Sequence, residues 1–293
     1  MARLTAGGVD VKDALYIGAL RLLPKNLWSR AVGAAAYAPL PKTLANMSVR
    51  AFARLYDIEV EEAERPLEDY PTLGAFFVRR LRLGARPVDR RPGVGVSPAD
   101  GRILNFGYVQ DATLIQAKGR HYRIEELLAD TADAERFRDG AWVTVYLSPR
   151  DYHRVHHPVE GEVHRARHVP GHLWPVNRAA VENVDDLFCV NERLITYVRG
   201  AAGEVATIMV GATSVGHITA AYDDALETNR GGAGSVRDYG PSIPVSRGDE
   251  LGTFHLGSTA IVLFARGDLE FEALTPGMPI RMGQAIVRRR SQK

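Results

Sequence analysis

The chain has 293 residues, 45% hydrophobic and 25% charged, with a net charge of only +2. Such a balance suits one large folded domain or two small ones, and carries no global field that would draw nucleic acid. The single Cys189 excludes an intramolecular disulfide and a cysteine-based zinc site. No apolar stretch approaches the roughly 20 residues that cross a bilayer. The N-terminus lacks the regions of a secretory signal, so the protein is expected to stay inside the cell.

Residues 1–90 read as helical. An amphipathic run over 11–28 is followed by Pro39 and Pro41, which break it. A second run over 45–56 carries Met47, Val49, Phe52, Leu55 and Tyr56. A third helix is expected over 72–81, with Thr72 as its cap. Their apolar faces have two uses: packing on the rest of the protein, or lying in a lipid headgroup layer, which Trp and Leu with Lys and Arg nearby would suit.

From residue 91 the pattern turns to short strands, expected over 94–96, 103–106, 113–117, 142–147, 161–169, 193–198, 205–210 and 259–264. Turns are expected at Pro98-Ala99-Asp100-Gly101, Arg199-Gly200 and Arg266-Gly267-Asp268. The fold class is therefore α+β, with an antiparallel sandwich or barrel-like core and helices segregated at one end. Residues 230–244, rich in glycine and proline, are expected to be a mobile loop.

Leu256-Gly257-Ser258-Thr259 carries the chemistry. A Ser258 hydroxyl adding to the Gly257 carbonyl would move the acyl group from nitrogen to oxygen. The ester can then lose its carboxylate by β-elimination, leaving dehydroalanine, which hydrolyses to ammonia and a pyruvoyl group. Gly257 leaves that carbonyl approachable. The flanks, Phe254-His255-Leu256 and Ala260-Ile261-Val262-Leu263-Phe264, read as a buried strand interrupted by a small polar step.

A serine needs a base, and three of the nine histidines, His153, His156 and His157, fall within five positions. A metal site is the rival use, but Pro149 and Pro158 leave little room for a helix and no Glu lies between them. An imidazole works best with a carboxylate fixing its tautomer, and Asp100, held in a tight turn, is the candidate. Ser214 sits in a loose variant of the nucleophile elbow, but His217-Ile218-Thr219-Ala220 just beyond it reads as a strand instead of a helix. Gly231-Gly232-Ala233-Gly234-Ser235 lacks the lysine of a phosphate loop.

Six blocks in order resemble the bacterial type of phosphatidylserine decarboxylase proenzyme: Ser97 to Gly101, Ile115 to Gly119, Tyr146 to His156, Asn191-Glu192-Arg193, Val210 to Thr213, and Leu256 to Thr259. The resemblance implies self-cleavage between Gly257 and Ser258, giving a β chain of 1–257 and an α chain of 258–293 that begins with the pyruvoyl cofactor. It implies Ser258 as nucleophile and later pyruvoyl, His156 as the activating base, Asp100 as the orienter of His156, and His153 as an aid to decarboxylation. His157 is a departure that could perturb the titration of its neighbour. The implied substrate is phosphatidylserine, bound by a protein peripheral to the cytoplasmic face of the cell membrane; assembly into a homo-oligomer stays open. Lys118 and Arg178 are candidate phosphate contacts. A carbonyl that forms a Schiff base with the substrate amine supplies the electron sink that decarboxylation needs. The alternatives are a serine hydrolase using Ser214 or Ser258, a pyruvoyl enzyme for a small soluble amino acid, and a non-enzymatic β-sandwich binding module.

Overall fold

A computed structural model describes residues 11–290 except 23, 118–119, 214–216, 230–231, 256–258 and 266. The N-terminal part holds helices α1 (Val11–Leu22), α2 (Lys25–Ala36), α3 (Lys42–Leu55) and α4 (Leu73–Phe77). Pro24 and Pro41 stand immediately before α2 and α3, as the flanking residue of each helix. A proline there gives up an N–H that no helical carbonyl would have accepted, so the breaks expected from proline are also starts. Thr72 caps α4 as expected, its Oγ1 accepting from Ala75 N at 3.1 Å. That helix stops at Phe77, short of the expected 81.

Eight strands form the main sheet, in the order Ser235–Val245, Gly161–Val169, Arg193–Gly200, Gly203–Val210, Thr259–Phe264, Ala141–Tyr146, Gly101–Tyr108 and Pro279–Ile280. Every pairing in it is antiparallel. The sheet does not close into a barrel; its edges are Ser235–Val245 and Pro279–Ile280. A three-stranded sheet of Ile218–Ala220, Glu250–Phe254 and Arg154–His156 packs against one face. The expected loop over 230–244 is corrected: most of it is the edge strand Ser235–Val245. Prolines are tolerated there because an edge strand has one side free of ladder bonds.

The strand Thr259–Phe264 is buried at all six positions. Ala260, Val262 and Phe264 join the core shared with the smaller sheet, whereas Ile261 and Leu263 join a second core. That second core lies under short helices at Ile124–Leu128, Thr131–Arg136, Arg178–Asn183 and Leu187–Val190. With both faces covered, alternation of polar and apolar residues is lost and the sequence reads as a continuous apolar run. Helices are therefore not confined to one end. A third, smaller cluster (Val49, Ala53, Ile58, Tyr70 and Phe76) belongs to the N-terminal part.

Candidate active site

The register of the main sheet brings five of the six sequence blocks to one end. Thr259 pairs with Val210 on one side and Tyr146 on the other. Val210 also faces Arg193, and Tyr146 also faces Arg102. Thus Arg193, Val210, Thr259, Tyr146 and Arg102 form one row across the sheet, and Ser258 directly precedes its middle member. Leu256, Gly257 and Ser258 themselves lie outside the described residues, as do Lys118 and Ser214. The described residues just before them are held to the backbone: Phe254 N donates to His153 O at 2.9 Å, and His255 N to His217 O at 3.0 Å.

His156 lies on the small-sheet strand, with its backbone N donating to Pro98 O at 2.8 Å. Its Nδ1 is 2.8 Å from Gly248 O and its Nε2 is 3.1 Å from the Tyr152 hydroxyl. A carbonyl only accepts, so Nδ1 carries the proton and Nε2 is left as the acceptor. Burial holds the imidazole below its ordinary pKa, partly offset by the Gly248 bond and the Glu250 and Asp100 charges. Burial thus favours the neutral ring, whose Nε2 accepts from the Tyr152 hydroxyl.

Asp100 is placed differently from the expectation that it orients His156. Its carboxylate accepts from Arg86 Nε at 2.9 Å, from Arg86 Nη2 at 2.6 Å and from Met282 N at 2.8 Å. Arg86 is shared with Glu62 at 2.6 Å. Among the described residues Asp100 makes no hydrogen bond to His156; Gly248 O fixes the tautomer and Asp100 acts on the ring through its charge. The competing guanidinium explains the difference, because a bidentate Arg–carboxylate pair outweighs a bond to a neutral imidazole. Gly101 lets this turn reach the sheet row: a Cβ there would sit 2.1 Å from Tyr146 O.

His153 is fully buried, its ring 3.9 Å from that of Phe77 between centroids. Among the described residues neither ring nitrogen has a partner in hydrogen-bond geometry, and the nearby Asp151 backbone only partly offsets the burial. Burial, with the Arg79 charge adding to it, pushes its pKa down to about 3. Arg79 is itself buried, donating only through Nη2, to Arg150 O at 3.0 Å and Asp151 O at 3.4 Å. His157 is also fully buried, and among the described residues both its ring nitrogens are unpartnered; its pKa is pushed down to about 4, by burial first and by His156 in part. The three histidines thus have separate surroundings, and among the described residues no group of three His, Cys, Asp or Glu could hold a metal.

Arg178, the other suggested phosphate contact, bonds Glu182 at 2.8 Å one helical turn on. The segment after Ser214 continues into the strand Ile218–Ala220, so the strand-to-helix setting of a nucleophile elbow is missing there. In the remaining block, Gln116 donates to Val181 O and Val184 O and accepts from Leu187 N, tying the second core together. Sequence reasoning missed Tyr152, Gly248, Arg86 and Arg79. Tyr152 stands four residues before His156 within the same block, but Gly248 acts through its carbonyl, which leaves no side-chain signal.

The register thus sets Thr259, the residue after the Gly-Ser pair, in the central strand, and His156 lies on the smaller sheet packed against it. The sequence model of the family "Phosphatidylserine decarboxylase" matches residues 73–288. The chain is 44% identical over 277 residues to the phosphatidylserine decarboxylase proenzyme of Myxococcus xanthus, covering 94% of this chain and 99% of that protein. The proenzymes of Anaeromyxobacter sp. (48% over 281 residues) and Brevibacillus brevis (36% over 280) are covered to the same extents. The chain belongs to the phosphatidylserine decarboxylase family.

Proposed function

We propose that this chain is a proenzyme that cuts itself between Gly257 and Ser258 and then decarboxylates phosphatidylserine to phosphatidylethanolamine. The observation that carries the reading is a neutral His156, its proton held on Nδ1 by Gly248 O and its Nε2 an acceptor, in the sequence block whose Tyr146 pairs with Thr259, the residue after the junction. The Ser258 hydroxyl gives its proton to Nε2 as its oxygen bonds the Gly257 carbonyl carbon. The Gly257–Ser258 C–N bond breaks, and the nitrogen keeps its electron pair and is protonated. Elimination then releases the Gly257 carboxylate, and hydrolysis releases ammonia. Among the described residues both His153 ring nitrogens and Thr259 Oγ1 are buried without a partner in hydrogen-bond geometry, which suits a pyruvoyl group and a polar head group arriving beside them. That group supplies the electron sink for loss of carbon dioxide. His153, neutral in the uncut chain, is the candidate proton handler for turnover, once a bound anion raises its pKa.

Intact mass and a denaturing gel test this directly. The wild type should give pieces of about 28 and about 4 kDa at ~110 Da per residue, the smaller with a blocked N-terminus. Ser258→Ala should stay full length and His156→Ala should stall, whereas His153→Ala should cut normally and turn over slowly. A cut Ser258→Ala product would remove that serine from the chemistry.

Residues 1–90 are read as the lipid-facing part. Leu15, Tyr16, Leu27, Trp28, Leu40, Leu44, Met47 and Leu55 are all exposed, against few large apolar side chains exposed beyond residue 90. Between residues 14 and 56 the sequence has six Lys or Arg and no Asp or Glu. Among the described residues no helix is long and apolar enough to cross a membrane. An apolar face in a cationic segment fits an anionic lipid surface. Replacing Leu27, Trp28, Leu44 and Met47 with serine should weaken sedimentation with phosphatidylserine vesicles by at least about tenfold, since each buried side chain contributes about 1 kcal/mol or more. Unchanged sedimentation would reassign these helices.

A further inference from the structure

The corner between α2 and α3 reaches the cleavage junction through one side chain. Tyr37, the residue that ends α2, places its hydroxyl 2.7 Å from His255 Nδ1. The Tyr37 ring lies so close to Gly74 that a Cβ there would meet it at 2.6 Å, which locks it between α4 and the junction. His255 has three further contacts. Its Nε2 is 3.2 Å from Thr219 Oγ1, its ring stacks on His217 with centroids 4.3 Å apart, and its backbone N bonds His217 O. His217 is fixed in turn by Glu227 at 3.0 Å. His255 stands two residues before Gly257, so this cluster fixes the chain up to the last described residue ahead of the scissile bond.

We propose, on the reading that the chain cuts itself at Gly257–Ser258, that Tyr37 and His255 are positioning residues that hold the Gly257 carbonyl in line for attack. As positioning residues they act by restricting where the chain can pass. Displacements of about 1 Å cost up to about 100-fold in reactions that depend on alignment. Loss of one side-chain bond that still leaves the backbone pinned should cost less, about tenfold.

The test is a double-mutant cycle on the rate of self-cleavage after synthesis, followed by gel. Tyr37→Phe removes only the hydroxyl; His255→Phe keeps the stack on His217 and removes both ring bonds. Each should slow cleavage about tenfold, and the double variant should be no slower than the slower single, because both act through the same bond. In the uncut Ser258→Ala background the same changes should move the melting temperature by less than about 2 °C, the shift for about 1 kcal/mol in a chain of this length. Cleavage of Tyr37→Phe at the wild-type rate would overturn the proposal, as would multiplying effects or a larger fall in melting temperature. A wild type that never cuts would instead overturn the self-cleavage reading itself.

Discussion

Asp100→Ala is expected to lower the stability of the uncut protein by about 3 kcal/mol and to slow self-cleavage as a consequence. The Asp100 and Arg86 side chains are 8% and 7% exposed and meet at 2.6 Å, with Met282 N as a further donor to the carboxylate. Removing one member of a buried pair leaves the other charge short of a partner, at a cost of about 3–5 kcal/mol. The lower end applies because Glu62 still holds Arg86. The Asp100 turn also abuts Tyr146, the partner of Thr259, and its charge helps to hold up the pKa of His156. Urea unfolding in a Ser258→Ala background measures the cost on a single intact chain. Arg86→Met together with Asp100→Ala should recover much of it. A loss below about 1 kcal/mol, well short of the buried-pair range, combined with abolished cleavage would mean that Asp100 acts directly in the chemistry.

Acid should unfold the uncut protein well above the pH at which carboxylates titrate. His153 titrates at about 3, His157 at about 4 and His255 at about 4, each held down chiefly by burial. In the unfolded chain all three take up a proton near pH 6.5. Below that pH the unfolded state binds more protons than the folded one, so stability falls as pH drops, and it continues to fall down to the folded values. At pH 5 each group costs about 2 kcal/mol relative to pH 8, or about 6 together, comparable with the whole stability of many domains. Among the described residues His157 is unpartnered at both nitrogens, so His157→Phe should flatten the dependence by about 2 kcal/mol between these pH values. Thermal unfolding from pH 8 to 5 checks this; identical slopes for variant and wild type would sink it.

The sheet was legible where composition alone decides. The run Ala260 to Phe264 announced a strand covered on both faces, and the register shows two cores meeting it. Ser235–Val245 was hidden because its prolines and glycines signal a loop unless the strand is known to be an edge. Short helices such as Ile124–Leu128 were hidden because five residues are too few to show a helical period. At the site, residue types exposed the bases and the junction but not their partners. The link between Asp100 and Arg86 spans 14 residues and depends on how the turn meets the N-terminal part. The bond from His156 to Gly248 spans 92 residues and ends on a carbonyl, which every residue possesses.

Thr259–Phe264 is bonded along its whole length to Ala141–Tyr146 and to Gly203–Val210. Beyond it, Pro279–Ile280 pairs with Gly101–Tyr108, and Ala285–Arg289 pairs with Val94–Val96. A break just ahead of Thr259 severs no rung of these ladders, so the short piece would stay threaded through the larger one like a bolt whose head has been sawn off. Once the two pieces were pulled apart, each would lack a wall of its own interior, and rejoining would have to proceed as a meeting of two molecules. The cut would therefore be silent while the fold persists and hard to reverse after it is lost.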